Sequence, residues 1–275
     1  MTIVAGVCGW PVKHSLSPLI HSAWLQAAGI DGAYERFEVA PGDFAAVVAE
    51  ARGRLSGVNV TVPHKEAALA LADTVSPAAR AAGAANVLTF RGGAIQADNT
   101  DGVGLLTALA EQADFTPKPG DRAVILGAGG AARGAAAALL AAGASVTVVN
   151  RTVERATALA SELAALGPIE GVGEAAAFPD ADLIVNATTL GLGGGPGPAI
   201  DLAATRADCV VMDMVYKPLR TEFLERARSL GRPAVDGLAM LIGQAVPSFQ
   251  AFYGRTPDAA VDVRALALQA LGEAG

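Results

Sequence analysis

The sequence is poor in several residue types that mark particular classes of protein. Only 17% of its 275 residues are charged and 5% are aromatic, whereas 52% are hydrophobic. A chain with this much apolar material can build packed cores, which excludes a disordered protein. The formal net charge is −7, and no run of Lys or Arg is long enough to form a basic stripe. We therefore expect no nucleic-acid partner.

Cysteine and histidine are also scarce. The two cysteines, Cys8 and Cys209, each lie in a short apolar run. Such runs predict buried free thiols rather than a disulfide. The three histidines, His14, His21 and His64, lack the spacing to other ligands that a metal site requires. We expect no metal.

Long hydrophobic runs are missing as well. No apolar run reaches the roughly 18 residues that would indicate a membrane-spanning helix. The N-terminal residues MTIVAGVCGWPVKHS show no basic segment followed by a long apolar stretch. The sequence therefore predicts a soluble, cytoplasmic protein with no membrane partner.

Short β-branched runs alternate with alanine-rich helical stretches along the whole chain, which predicts an α/β fold. We expect a first domain over residues 1–102, with a mainly parallel sheet that includes a hairpin around Gly92-Gly93. A second domain over residues 103–237 should hold a doubly wound sheet. Residues 238–275 should form two helices, 238–253 and 257–271, that pack back on the first domain. A further helix is predicted over residues 219–230.

A glycine-rich turn marks a candidate nucleotide site. It directly follows the apolar strand AVIL and opens an alanine-rich helix, the context in which such a turn binds a pyrophosphate at free helix N–H groups. A glycine turn in an empty doubly wound domain is the alternative. The turn comprises Gly127, Ala128, Gly129, Gly130 and Ala131.

The next strand ends at Val149, where an NAD-binding domain would place Asp or Glu on the ribose 2′-hydroxyl. This chain has Asn150, Arg151 and Thr152 instead. A guanidinium can stack on adenine and bind a 2′-phosphate, whereas a carboxylate would repel that phosphate. The sequence thus favours NADP over NAD. The alternative is that Arg151 simply faces solvent at the strand end.

Polar side chains also follow three strands of the first domain. Ser15 and Ser17 precede a helix, where they could bind a polyol or carboxylate, although Ser17 before Pro18 also fits a helix N-cap. Lys65 begins another helix, a poor place for a cation, which indicates chemistry unless the side chain is merely solvated. Asp101 could cap a helix or face a cleft.

Hydride transfer to a carbonyl requires a proton donor beside the oxygen, and a lysine held by a carboxylate provides one. Lys65 and Asp101 are the well-placed candidates in this sequence. A surface of solvated polar groups at strand ends is the structural alternative, and it would need all of these positions to coincide by chance.

Together these segments resemble the shikimate dehydrogenase family, and they occur in the family's order: GWPVKHSLSP, NVTVPHK, GAAN, NTDG, GAGGAAR, NRT, NATTLG, DMVYKPLRT and GLAMLIGQ. The resemblance implies a substrate domain, completed by the final helices, that faces an NADP-binding domain across a cleft. It also implies the reversible NADPH-dependent reduction of 3-dehydroshikimate to shikimate in chorismate and aromatic amino acid biosynthesis.

The resemblance further implies a role for individual residues. Lys65 would transfer the proton, and Asp101 would orient it. Ser15 and Ser17 would hold the substrate carboxylate. The ring hydroxyls would be bound by Thr61, Asn86, Asp101 and Gln244, with Tyr216 closing on the substrate. The cofactor would be bound by the glycine turn, by Asn150, Arg151, Thr152, Arg155 and Met214, and on its nicotinamide-ribose side by Asn186, Thr188 and Gly237.

One position departs from the family's pattern: Val87 stands where the family usually has Thr after the GAxN segment. Only a secondary polar contact is affected. Two alternatives remain open, namely a relative that uses quinate or NAD and a non-catalytic NADP-responsive binding protein. Monomer and homodimer are both compatible with the sequence.

Overall fold

The computed structural model describes residues 2–174 and 177–273. The chain divides into two compact units. The first unit contains the residues up to Thr100 and those from Ile242 onward, and the second is Asp101–Leu241.

Residues 2–100 form one mixed sheet and four short α-helices. The strands are β1 (Ile3–Gly9), β2 (Gly32–Glu38), β3 (Gly57–Val60), β4 (Thr74–Val75), β5 (Val87–Arg91) and β6 (Ala94–Asp98). The helices are α1 (Ser17–Ala28), α2 (Phe44–Ala51), α3 (Lys65–Ala70) and α4 (Pro77–Ala82). The strand order is β2-β1-β3-β5-β6-β4. β1 is parallel to β2 and β3, whereas β5 pairs antiparallel with β3 and β6. The hairpin turns at Gly92 and Gly93, both with positive φ.

The second unit contains a parallel six-stranded sheet. Its strands are β7 (Arg122–Leu126), β8 (Ser145–Val149), β9 (Ile169–Val172), β10 (Leu183–Asn186), β11 (Val210–Asp213) and β12 (Ala234–Val235). Its helices are α5 (Asp101–Ala113), α6 (Gly130–Ala141), α7 (Val153–Leu163) and α8 (Glu222–Ser229). Two more helices follow, α9 (Gly237–Tyr253) and α10 (Val263–Leu271).

The strand order β9-β8-β7-β10-β11-β12 is that of a doubly wound dinucleotide-binding sheet, with its switch point between β7 and β10. Successive residues of each central strand point to opposite faces. Ile125 and Val185 pack with α5, α6 and α7, whereas Val124 and Ile184 pack with α8. Burial on both faces explains why these strands are uninterrupted apolar runs.

The predicted α/β class with a doubly wound sheet is confirmed. Both cysteines are free and buried, as predicted, and burial raises the pKa of the Cys8 thiol to about 12. Two helix starts were predicted too early. α8 begins at Glu222 because Thr221 caps it by accepting from the Leu224 N–H, and α10 begins at Val263 because Asp262 caps it.

Neither a helix suited to span a membrane nor a metal-ligand cluster occurs in residues 2–174 and 177–273. No helix there combines the length and the apolar character needed to cross a bilayer. No group of three His, Cys, Asp or Glu side chains there is arranged to hold a metal ion.

An aromatic cluster around His21 covers one face of the first sheet. The His21 ring stacks on Tyr34, with 3.9 Å between centroids and 14° between planes, and Trp24, Phe249 and Phe252 surround it. His21 is fully buried, and neither ring nitrogen has a hydrogen-bond partner among the described residues. Burial lowers the pKa of His21 to about 3. The imidazole is therefore a neutral core group.

His21→Phe is expected to stabilise the first unit, and more so in acid. Removing the unpaired nitrogens should raise the free energy of unfolding by about 1 kcal/mol at pH 7. Below pH ~6.5 the unfolded chain binds a proton at His21, whereas the folded chain does not bind it until the pH nears about 3. The contribution of His21 to the free energy of unfolding therefore falls as the pH drops through this range. The variant's advantage should therefore grow by about 2 kcal/mol at pH 5.

Urea unfolding of the wild type and the variant at pH 7 and pH 5 measures both effects. His14→Phe, at an exposed histidine, serves as the matched control. An equal difference between His21→Phe and wild type at the two pH values would contradict a buried neutral His21.

Candidate active site

The carboxyl ends of β1 and β3 lie side by side and carry two of the predicted polar segments. The Thr61 N–H donates to the Cys8 carbonyl (2.9 Å), and the Trp10 N–H donates to the Val62 carbonyl (3.0 Å). A Cβ built on Gly9 would lie 2.4 Å from the Thr61 methyl group. A side chain at position 9 would therefore push Thr61 away from the end of β1.

Lys65 is the first residue of α3, and backbone hydrogen bonds hold it beside Asn86. The Ala85 N–H donates to the Lys65 carbonyl (2.8 Å), and the Val60 N–H donates to the Asn86 carbonyl (2.8 Å). The Lys65 side chain is half-buried. Two segments that are about twenty residues apart in sequence thus meet at the end of β3.

Asn86 is buried in a side-chain network at the same edge. Its Oδ1 accepts from the Thr100 N–H (2.8 Å), and its Nδ2 donates to Thr100 Oγ1 (3.0 Å) and Gln244 Oε1 (3.4 Å). Asp101, which is also buried, follows Thr100 directly in sequence. The network therefore fixes the Asn86 amide and the residue before Asp101.

Ser15 and Ser17 lie at the start of α1. Ser15 Oγ accepts from the Ser17 N–H (3.3 Å), and the Ser15 carbonyl accepts from the Arg36 guanidinium (2.7 Å). Leu16 is the N-cap residue of α1, without a side-chain cap, and Ser17 is already helical. The alternative that Ser17 serves as the N-cap is therefore wrong. Val87, next to Asn86, is buried in β5.

In the second unit the glycine turn between β7 and α6 has the geometry that a pyrophosphate requires. Gly127 has φ +109°, and its N–H donates to the Val149 carbonyl (2.7 Å). A Cβ at Gly127 would lie 3.1 Å from the Ala187 carbonyl oxygen, so the turn fits tightly between β8 and β10. Gly129 and Gly130 open α6, and no protein atom lies within 4 Å of a Cβ built on either. Their backbone is open to a ligand.

The residues after β8 present two cations. Arg151 and Arg155 are exposed, and among the described residues neither guanidinium makes an ion pair or hydrogen bond. Asn150 Nδ2 donates to the Thr152 carbonyl (2.9 Å), which orders the turn between them. Two unpaired cations beside an ordered turn suit a phosphate, so the site fits the 2′-phosphate of NADP.

Asn186, Thr188 and Met214, predicted to bind the cofactor, form a hydrogen-bonded cluster with Asp213 at the ends of β10 and β11. Asn186 is fully buried; its Oδ1 accepts from Thr188 Oγ1 (2.7 Å), and its Nδ2 donates to Asp213 Oδ1 (2.8 Å). The Met214 N–H donates to the Asn186 carbonyl (3.0 Å). The Asn186 side chain is therefore occupied within the protein.

Tyr216 and Gly237 lie in the same unit. Tyr216 is half-buried, and burial raises the pKa of its phenol. A Cβ on Gly237 would lie 2.4 Å from the Met214 carbonyl oxygen, so glycine allows the start of α9 to pack on this backbone.

Asp213 belongs to this hydrogen-bonded cluster but was not among the site residues predicted from the sequence. It is fully buried, has no cationic partner among the described residues, and burial raises the pKa of its carboxyl. The available signal was a carboxylate directly after the apolar strand CVVM, at the edge where parallel strands carry ligand sites.

Two family models match the chain in the order of its units. Residues 7–88 match the shikimate dehydrogenase substrate binding domain, and residues 109–190 match the model described as shikimate / quinate 5-dehydrogenase. The chain belongs to the shikimate dehydrogenase family. Full-length relatives agree with this membership. The chain is 57% identical to the shikimate dehydrogenase (NADP(+)) of Caulobacter vibrioides (strain NA1000 / CB15N), over 98% of this chain and 96% of the relative.

Solved structures share the fold of this shikimate dehydrogenase family member. The shikimate 5-dehydrogenase of Thermus thermophilus, in complex with NADP(H) and shikimate, is 36% identical, with a TM-score of 0.85 and coverage of 96% of this chain and 98% of that one. The ligand-free 5-ketofructose reductase of Gluconobacter sp. strain CHM43 is 33% identical, with a TM-score of 0.89 and coverage of 97% and 98%. The fold thus also occurs in a protein named for another carbonyl substrate.

Proposed function

We propose that this chain is an NADP-dependent shikimate dehydrogenase that reversibly reduces 3-dehydroshikimate to shikimate. The main support is that Thr61, Lys65 and Asn86 come together at the end of β3. The chain is also 57% identical to a shikimate dehydrogenase (NADP(+)). Hydroxyl, amine and amide groups in one place suit a substrate with several hydroxyls and a carbonyl.

The substrate side uses hydrogen-bonding side chains. Ser15 and Ser17 bind the carboxylate, and their position at the start of α1 supports this because the first N–H groups of a helix favour an anion. Ring hydroxyls are bound by Thr61, Asn86, Asp101 and Gln244. Thr100 holds the Asn86 amide in one orientation, which selects the hydroxyl geometry. Tyr216 covers the substrate.

Proton transfer falls to Lys65. Its ε-ammonium donates a proton to the carbonyl oxygen as that oxygen becomes a hydroxyl, and the amine takes the proton back in the reverse direction. Asp101 orients the amine and stabilises its charged form. When bound, NADPH supplies the hydride that the carbonyl carbon receives.

The cofactor side uses backbone amides and cations. The glycine turn and the N-terminus of α6 bind the pyrophosphate. Arg151 and Arg155 bind the 2′-phosphate, while Asn150 and Thr152 shape the turn that carries them. Thr188, Met214 and Gly237 border the nicotinamide ribose, and Asn186 acts through the Thr188 segment.

The assembly is a monomer or homodimer, and we place the enzyme in the cytoplasm. The net charge of −7 disfavours a nucleic-acid partner.

The function is tested by following absorbance at the reduced-nicotinamide band. Purified protein with shikimate and NADP should show shikimate-dependent reduction of the cofactor. NAD in place of NADP, and quinate in place of shikimate, should each give a much lower kcat/KM. Turnover only with quinate or NAD would assign the chain to the sister activity, and NADP binding without turnover would make it a binding protein.

A further inference from the structure

Asp213 connects three segments at the carboxyl edge of the second sheet. Its Oδ1 accepts from Asn186 Nδ2 (2.8 Å) and from the Val215 N–H (3.0 Å). Its Oδ2 accepts from Thr221 Oγ1 (2.7 Å). Each donor comes from a different segment, namely the end of β10, the loop after β11 and the start of α8.

The first of these segments, the end of β10, carries the proposed nicotinamide-side residues Asn186 and Thr188. Asn186 Oδ1 accepts from the Thr188 N–H (3.1 Å) and hydroxyl (2.7 Å), and Thr188 Oγ1 in turn accepts from the Leu190 N–H (3.1 Å). The glycine-rich loop 191–197 starts at this point. The Asp213 carboxylate therefore fixes the base of that loop through a single amide side chain.

The bonds from the Val215 N–H and from Thr221 Oγ1 hold the loop after β11 and the start of α8. Val215 lies between Met214 and Tyr216, so its N–H bond sets the direction of the backbone between these two candidates. Thr221 caps α8, accepting from the Leu224 N–H (3.3 Å), while it donates to Asp213. A small displacement of the carboxylate would move all three segments.

Burying a carboxylate without a cationic partner costs desolvation free energy and so destabilises the fold. Among the described residues no Lys, Arg or His pairs with Asp213, and only three neutral donors offset its desolvation. An apolar residue would suit a sheet end better if nothing but packing were required. The arrangement is typical of a group that orients its neighbours.

We propose that Asp213 is a positioning residue for NADP(H), acting through Asn186–Thr188 and Met214–Tyr216 to hold the nicotinamide end of the cofactor. This inference rests on the proposed function. It goes beyond it by assigning cofactor geometry to a buried group that need not touch the cofactor.

Asp213→Ala should lower kcat/KM for NADP by roughly 10- to 100-fold, because misplacing a binding group by about 1 Å has effects of this size. The KM for shikimate should rise much less than the KM for NADP, since Tyr216 is the one proposed substrate contact on a segment that Asp213 holds. Asp213→Asn keeps one acceptor oxygen and should recover part of the loss. Thr221→Val removes the Oδ2 bond together with the cap of α8, keeps both Oδ1 bonds, and should show a smaller loss of the same kind.

The measurements are steady-state kinetics with each substrate varied and NADPH binding by fluorescence titration. Asp201→Ala serves as the matched control, because Asp201 is exposed and, within the part of the chain that the structure describes, its side chain accepts only from the Ala203 N–H (3.0 Å). General destabilisation would lower apparent kcat through the active fraction and leave both KM values in place. A selective rise in the KM for NADP therefore supports positioning.

Wild-type NADPH affinity in folded Asp213→Ala would overturn the inference. If Asp213→Ala does not fold, wild-type affinity in both Asp213→Asn and Thr221→Val would overturn it. Failure of the wild-type protein itself to bind NADPH would instead contradict the proposed function.

Discussion

Lys65→Ala is expected to lower kcat for shikimate oxidation by ~10²- to 10⁴-fold, the usual contribution of a general acid–base group. The KM for shikimate should change much less, because hydroxyl and amide groups at the ends of β1 and β3 supply most of the proposed binding. The NADP dissociation constant should be unaffected, since Lys65 lies in the other unit from the glycine turn. Initial rates with shikimate and NADP each varied measure these quantities.

Two further variants make this result specific. Lys65→Met retains the apolar stem and should be as inactive as the alanine variant if the amine is what matters. Lys118→Ala removes a lysine from the loop before β7 and should match wild type. A primary amine added to the assay should restore part of kcat only in Lys65→Ala. A raised KM with unchanged kcat would make Lys65 a binding residue and remove it from proton transfer.

The α/β architecture was predictable because each strand and helix carries its own local signal. Strands β7, β10 and β11 are buried on both faces, so they appear as unbroken apolar runs bounded by Gly, Asn or Asp. The start of α10 was less predictable, because two aspartates compete as caps. Asp258 accepts from the Ala260 N–H in a turn, and Asp262 caps the helix.

The strand-end positions of the candidate site followed from the same pattern, since parallel strands bring their carboxyl ends to one edge. The buried polar partners did not follow. Asn59 Nδ2 donates to Ser248 Oγ (2.9 Å), 189 residues away, and Asp213 bonds Asn186 across 27 residues. Asp213 had one local signal, its place directly after an apolar strand, but nothing local in the sequence shows which side chains these groups pair with. Their pairing depends on strand order, which only the folded chain reveals.

Arg151→Ala is expected to raise the KM for NADP by about 10- to 100-fold and to leave the KM for NAD nearly unchanged. A hydrogen bond to a charged group contributes about 1.5–3 kcal/mol, and each 1.4 kcal/mol corresponds to a factor of ten. NAD has no 2′-phosphate, so it lacks the group that Arg151 binds. Steady-state kinetics with both cofactors at saturating shikimate gives the ratio of the two kcat/KM values.

Different substitutions at position 151 should lower the preference for NADP to different extents. Arg151→Lys keeps the charge but loses the planar, two-point contact, so its preference for NADP should fall between those of wild type and Arg151→Ala. Arg155→Ala, in the first turn of α7, should reduce the same preference. Arg122→Ala removes an exposed guanidinium at the far end of β7, which pairs with Asp180, and should have no effect. Equal losses with NADP and NAD in Arg151→Ala would mean that the guanidinium binds a part common to both cofactors, such as the adenine ring, and that the preference for NADP has another origin.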